Sequence, residues 1–126
     1  MDNKIKIIKV LDEHREGVHI REISRLVKTG LPNIKRYLDI LEKEVIIKKE
    51  KKGNLINIFL LYNNLSSSYL KQIHSCKFSK LPKEVQLAVV DFLNALEHKP
   101  LISLIFGSYA KGNYTKDSDL DIFLVF

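Results

Sequence analysis

Asp119 and Asp121 stand two positions apart in the run Ser118-Asp119-Leu120-Asp121-Ile122-Phe123-Leu124-Val125-Phe126. In an extended strand, residues two apart project to one side, so the two carboxylates share a face while Leu120, Ile122 and Leu124 take the other. Like charges on neighbouring positions of one face repel each other. A divalent cation removes that repulsion, and oxygen-only ligands favour Mg2+ or Mn2+. Upstream, Leu101-Ile102-Ser103-Leu104-Ile105-Phe106 is a continuous apolar run that reads as a buried strand. It feeds into Gly107-Ser108, and Tyr109-Ala110-Lys111 starts a short helix. A strand ending in glycine at a helix N-terminus offers backbone N–H groups and the positive end of the helix dipole to a phosphate, and Ser108 adds a hydroxyl.

The string Gly107-Ser108-Tyr109-Ala110-Lys111-Gly112, followed by Ser118-Asp119-Leu120-Asp121, closely resembles the signature of the polymerase-β nucleotidyltransferase superfamily, especially its small prokaryotic members. A Gly-Ser pair followed about ten residues later by Asp-x-Asp on a strand is a specific spacing. The resemblance implies that Gly107 and Ser108, with Ser118 at the edge of the motif, hold the phosphates of a nucleoside triphosphate (NTP). It further implies that Asp119 and Asp121 are catalytic, binding the metal ions that activate an acceptor hydroxyl and stabilise transfer of the α-phosphoryl group. One departure matters. The family has a third carboxylate on a later strand, and no Asp or Glu follows Asp121. The family's sheet also has more strands than residues 101–106 and 120–126 supply. A fragment of a longer enzyme, a vestigial domain, and a domain completed by another chain are all consistent with this. An unpaired apolar terminal strand further suggests a homodimer.

The elements ahead of this motif are helical. Val85, Ala88, Val89, Phe92 and Leu96 form an apolar stripe from Lys83 to His98, suited to packing on the sheet that follows. Before it, the polar run Tyr62-Asn63-Asn64-Leu65-Ser66-Ser67-Ser68 marks a boundary, with serines to cap a helix from about Tyr69 to Cys76 that carries Leu70 and Ile73.

The N-terminal half shows helical periodicity from Lys4 to about Glu16, a second short helix carrying Ile20, Ile23, Leu26 and Val27, and a third with Pro32 in its first turn and Ile34, Leu38 and Leu41 on one face. Two β-rich runs around Gly53-Asn54 then read as a hairpin. Residues 20–61, with Ile20-Arg21-Glu22-Ile23 opening the second helix and Ile34-Lys35-Arg36-Tyr37-Leu38 in the third, resemble the winged helix-turn-helix domains of prokaryotic transcription regulators. That resemblance implies DNA binding, with Asn33, Lys35 and Arg36 toward base edges and Lys48, Lys49, Lys51 and Lys52 of the wing toward phosphates. Asp39 on the same helix opposes a wholly DNA-facing surface. Val45 stands where these regulators usually have glycine, which predicts a less sharply turned helix end.

The expected fold class is α+β. A winged helix-turn-helix domain of three helices and a hairpin wing occupies residues 1–62, a linker helix 63–80, and the N-terminal part of a nucleotidyltransferase α/β sheet 81–126. Composition agrees with a folded chain, at 45% hydrophobic and 29% charged. The net charge of +6 is concentrated in residues 1–62, with 14 Lys/Arg against 9 Asp/Glu, which suits a polyanion partner. No apolar run reaches the roughly 18 residues of a membrane span and Met1-Asp2-Asn3-Lys4 lacks a signal-peptide core, so a cytoplasmic location is expected. Cys76 is the single cysteine and reads as a buried apolar residue; the four histidines lack paired-ligand spacing, so no structural zinc is expected. The function expected is a winged-helix DNA-binding protein joined to a nucleotidyltransferase domain that transfers NMP from an NTP to a hydroxyl, with Mg2+ or Mn2+ as cofactor. The alternative is a non-catalytic transcription regulator whose C-terminal half senses nucleotide or mediates assembly.

Overall fold

The computed structural model describes residues 2–126, and their contacts divide into an N-terminal unit that ends at Ser75 and a C-terminal unit, Cys76–Phe126. The fold mixes helices with two separate antiparallel sheets.

In the N-terminal unit, α1 (Asn3–Glu13) starts at Asp2, whose carboxylate accepts from the Lys4 and Ile5 N–H groups, satisfying two donors that a helix start leaves open. It ends at Glu13, a turn earlier than the periodicity suggests, because the chain must reverse at Gly17. Gly17 has a φ of 101°, and a β-carbon there would meet the Phe59 ring at 2.7 Å, so both backbone freedom and lack of a side chain are used. Two residues follow as a short strand, β1 (Val18–His19), which local periodicity does not mark. Next come α2 (Ile20–Val27) and α3 (Leu31–Lys43), the latter with Pro32 in its first turn. The hairpin β2 (Ile47–Lys52) and β3 (Leu55–Leu60) turns at Gly53-Asn54, with Lys52 opposite Leu55 and Ile47 opposite Leu60. β1 adds to the other edge of β3, Val18 facing Ile58.

The expected apolar faces meet in one core. Ile7, Ile8 and Leu11 of α1, Ile23 of α2, Ile34, Leu38 and Leu41 of α3, and Ile58 of β3 are all fully buried. Each such side chain contributes roughly 1.5–3 kcal/mol on leaving water. The reversal between α3 and β2 is sharper than Val45 suggested: Val45 adopts a φ of 61°, the left-handed conformation glycine prefers. A β-branched residue is held there by its surroundings. The Asn63 side chain donates to the Val45 carbonyl at 2.9 Å, and the Ile46 N–H returns to Leu41 O at 3.0 Å.

α4 runs from Asn64 to Ser79, starting earlier and ending later than expected. Its cap is Asn63 rather than a serine: Asn63 Oδ1 accepts from the Leu65 and Ser66 N–H groups, both at 2.9 Å. Ile73 is buried in the N-terminal core with Tyr69 and Leu70 against it, so this end of the helix belongs to the first unit. Cys76 is half-buried, not enclosed.

The C-terminal unit holds α5 (Lys83–Ala95), β4 (Ile102–Phe106), α6 (Ser108–Lys111) and β5 (Asp121–Val125). α5 stops at Ala95, before His98; Lys99 Nζ caps it by donating to the carbonyls of Leu93, Asn94 and Leu96 at 2.9–3.0 Å. Two expectations are corrected. β4 is not a buried strand, since Ile102, Leu104 and Phe106 are each about half exposed. Nor is the α5 stripe enclosed against a sheet: Val89 is buried, but Phe92 is 44% exposed. A two-stranded sheet offers too little surface to bury both its faces and a helix.

Candidate functional site

β4 and β5 pair antiparallel with Phe106 opposite Asp121, so the end of one strand lies beside the start of the other. The chain leaves β4 through Gly107, at φ 74° and ψ −148°, a combination that residues with a β-carbon scarcely adopt. A β-carbon on Gly107 would fall on the Asp121 carboxylate, with Asp121 Cγ 3.4 Å and Cβ 3.7 Å away. This glycine is therefore required twice, by its backbone angles and by the carboxylate lying against its α-carbon. α6 begins at Ser108 and closes with hydrogen bonds from Lys111 N to Gly107 O and from Gly112 N to Ser108 O, leaving the first N–H groups of the turn open beside Asp121. The structure thus brings Gly107, Ser108 and Asp121 together from positions far apart in sequence.

Asp119 and Ser118 lie in the segment that precedes β5, which begins at Asp121, and Asp119 is exposed. That segment leaves a turn in which the Ser118 hydroxyl accepts from Thr115 N at 2.6 Å and Ser118 N donates to Thr115 O at 3.1 Å. The Ser118 hydroxyl also lies 3.3 Å from Thr115 Oγ1, and either of the two can donate. A stacked pair, Tyr109 and Tyr114, with ring centroids 4.7 Å apart, ties α6 to the loop after it. No sequence signal beyond two tyrosines five apart marks that contact.

Among the described residues, no three or more His, Cys, Asp or Glu side chains gather as a metal-binding group. The two carboxylates suit a hard divalent cation that takes its remaining ligands from water and phosphate oxygens, and the open backbone N–H groups suit the phosphate.

The second candidate surface lies in the N-terminal unit. Asn33, Lys35 and Arg36 are exposed at the start of α3, and the Arg36 guanidinium sits 5.0 Å from the Tyr37 ring centroid. The wing lysines are not equivalent. Lys51 and Lys52 near the hairpin tip are exposed with no carboxylate partner among the described residues. Lys48 pairs with Glu50 at 2.9 Å and lies over the Phe59 ring. Lys49 reaches across to α3, bonding Asp39 Oδ1 at 2.6 Å with Glu42 Oε1 at 3.7 Å. The Lys49 bond holds the Asp39 carboxyl below its usual range. In sequence the four lysines look alike, because the α3–β2 reversal that brings positions 39 and 49 together is tertiary information.

Parts of the chain have likenesses among known proteins. Residues 91–126 match the model of the nucleotidyltransferase domain. Nucleotidyltransferase similarity also appears in a Methanocaldococcus jannaschii protein named "Putative protein adenylyltransferase MJ0604", 45% identical over 42 residues, which are 30% of this chain and 42% of that protein. The chain therefore spans less than half the length of this curated relative. Similar solved structures include MepR, a transcription regulator of the Staphylococcus aureus multidrug efflux pump MepA, at 17% identity, 75% of each chain and a TM-score of 0.52. The S. aureus MepR–DNA complex matches at 14% identity, 77% of this chain, 81% of that one and a TM-score of 0.50. At these identities the likeness is one of fold, that of winged-helix regulators. No helix among the described residues is long and apolar enough to cross a membrane.

Proposed function

We propose that the protein couples a winged-helix DNA-binding surface to a nucleotidyltransferase site that takes a nucleoside triphosphate. The observation that carries the enzymatic part is the Asp121 carboxylate lying against Gly107 at the start of α6. In this reading the open N–H groups of α6 and the Ser108 hydroxyl donate to phosphate oxygens. Asp119 and Asp121 would hold Mg2+ or Mn2+, which when bound neutralises phosphate charge and polarises the transferring phosphoryl group. The name of the M. jannaschii relative supports AMP as the group transferred and a protein hydroxyl as acceptor.

Two carboxylates suffice to bind a metal–nucleotide, but transfer also needs a group to take the proton of the acceptor hydroxyl. Among the described residues no third acidic side chain joins Asp119 and Asp121. This favours, as a second reading, nucleotide binding without turnover by this chain alone. Both readings are tested by titrating ATP with Mg2+ calorimetrically while following pyrophosphate release from labelled NTPs. Binding that is lost in Asp119→Ala and in Asp121→Ala supports the site, and release abolished by Asp121→Ala supports catalysis. Binding indifferent to both substitutions overturns the assignment.

For the N-terminal unit, exposed Asn33, Lys35 and Arg36 on α3, Lys51 and Lys52 at the wing tip, and the DNA complex of a structural neighbour support duplex binding. Affinity is then expected to fall steeply as salt rises. Salt-independent affinity would speak against it.

A further inference from the structure

We propose that Lys49 is a positioning residue of the DNA-binding surface, fastening the wing to the recognition helix through Asp39 and Glu42 instead of contacting a phosphate. The proposal rests on the DNA-binding reading above, and three observations carry it. First, the Lys49 side chain is only 23% exposed and its ammonium group lies 2.6 Å from Asp39 Oδ1 and 3.7 Å from Glu42 Oε1, so two carboxylates compete for the charge a phosphate would need. A cation already neutralised within the protein releases no counterion from DNA when it binds. Second, Asp39 and Glu42 are exposed on α3, the helix that carries Asn33, Lys35 and Arg36. Left alone, these two charges would repel the phosphates beside the groove; Lys49 cancels part of that repulsion. Third, the partners lie on different elements. Asp39 and Glu42 belong to α3 and Lys49 to β2, joined through the left-handed Val45, so the pair spans the corner that sets where the wing tip stands relative to the helix.

The measurement is fluorescence anisotropy of the full chain with a labelled, mixed-sequence DNA duplex across a salt series, for Lys49→Ala, Lys49→Arg, Asp39→Asn and Lys51→Ala. Lys51→Ala, which removes an unpaired cation, is expected to reduce the slope of log affinity against log salt by about 0.9. Lys49→Ala is expected to lower affinity severalfold, and Lys49→Arg to restore it. Asp39→Asn is expected to weaken binding as well, although it removes a negative charge. Tighter binding by Asp39→Asn overturns the proposal, because Lys49 would then be a phosphate contact that Asp39 restrains. Amide hydrogen exchange on the same variants needs no DNA and separates this idea from the reading beneath it. Faster exchange in residues 47–60 of Lys49→Ala supports the fastening even if the wild type binds no duplex, and unchanged exchange there counts against it.

Discussion

Val45→Gly is expected to stabilise the protein, against the general tendency of glycine substitutions. Val45 sits at φ 61°, and a β-branched side chain in the left-handed region costs roughly 1–3 kcal/mol. Replacing a residue with glycine costs about 0.4–1 kcal/mol through the greater freedom of the unfolded chain. Val45 is 52% exposed, so little burial is lost. The hydrogen bonds at this corner, from Asn63 Nδ2 to the Val45 carbonyl and from Val45 N to Glu42 O, use backbone atoms that glycine keeps. The balance is a gain of about 1 kcal/mol, which for a unit of this size corresponds to a rise in Tm of about 4–8 °C. Thermal denaturation followed by far-ultraviolet circular dichroism measures it, with Val45→Ala as the control. Alanine keeps the β-carbon and most of the left-handed cost, so its Tm should stay nearer the wild type. A Tm for Val45→Gly equal to or below wild type would refute the reasoning, since the corner would then be relaxed with valine in place.

Three further outcomes follow from the structure. Gly107→Ala puts a β-carbon into the Asp121 carboxylate and forces the backbone from its φ of 74°, so binding of ATP with Mg2+ measured by calorimetry should fall at least as far as in Asp121→Ala; retained affinity would mean that the carboxylate can move without consequence. Ile73→Ala should cost about 2–5 kcal/mol and shift the urea midpoint, because this side chain anchors the first part of α4 in the N-terminal core; a loss below 1 kcal/mol would show that α4 packs there only loosely. Alkaline pH should weaken the N-terminal unit. Lys4 is held above its ordinary 10.5, first by its hydrogen bond to Glu44, and Tyr62 above its ordinary 10.0, first by burial and then by its bond to Asp12. Both raised values mean that the stabilisation is complete below the ordinary values and is lost as pH rises through the folded ones, so the urea midpoint should be flat to about pH 9 and then decline, with Lys4→Met plus Tyr62→Phe flattening the decline.

Local pattern alone made much of this protein legible. Helical periodicity in Ile34, Leu38 and Leu41, Pro32 in a first turn and Gly53-Asn54 between two β-rich runs each depend on neighbours within a few residues, and each stands in the structure as expected. The Gly-Ser and Asp-x-Asp spacing likewise identified the nucleotidyltransferase segment that the family comparison matches. Other features depend on groups that only folding brings together. Val45 turns as sharply as glycine would because Asn63, eighteen residues on, holds its carbonyl. Lys49 reads as a free wing cation until the chain reversal sets it beside Asp39. The apolar composition of Leu101–Phe106 promised burial, but burial depends on what packs against a strand, and a two-stranded sheet leaves Ile102, Leu104 and Phe106 half exposed. Sequence determined which residues carry the chemistry proposed for phosphate, metal and DNA; tertiary contacts decided which of them stand free, because hydrogen bonds and burial are properties of neighbours in space.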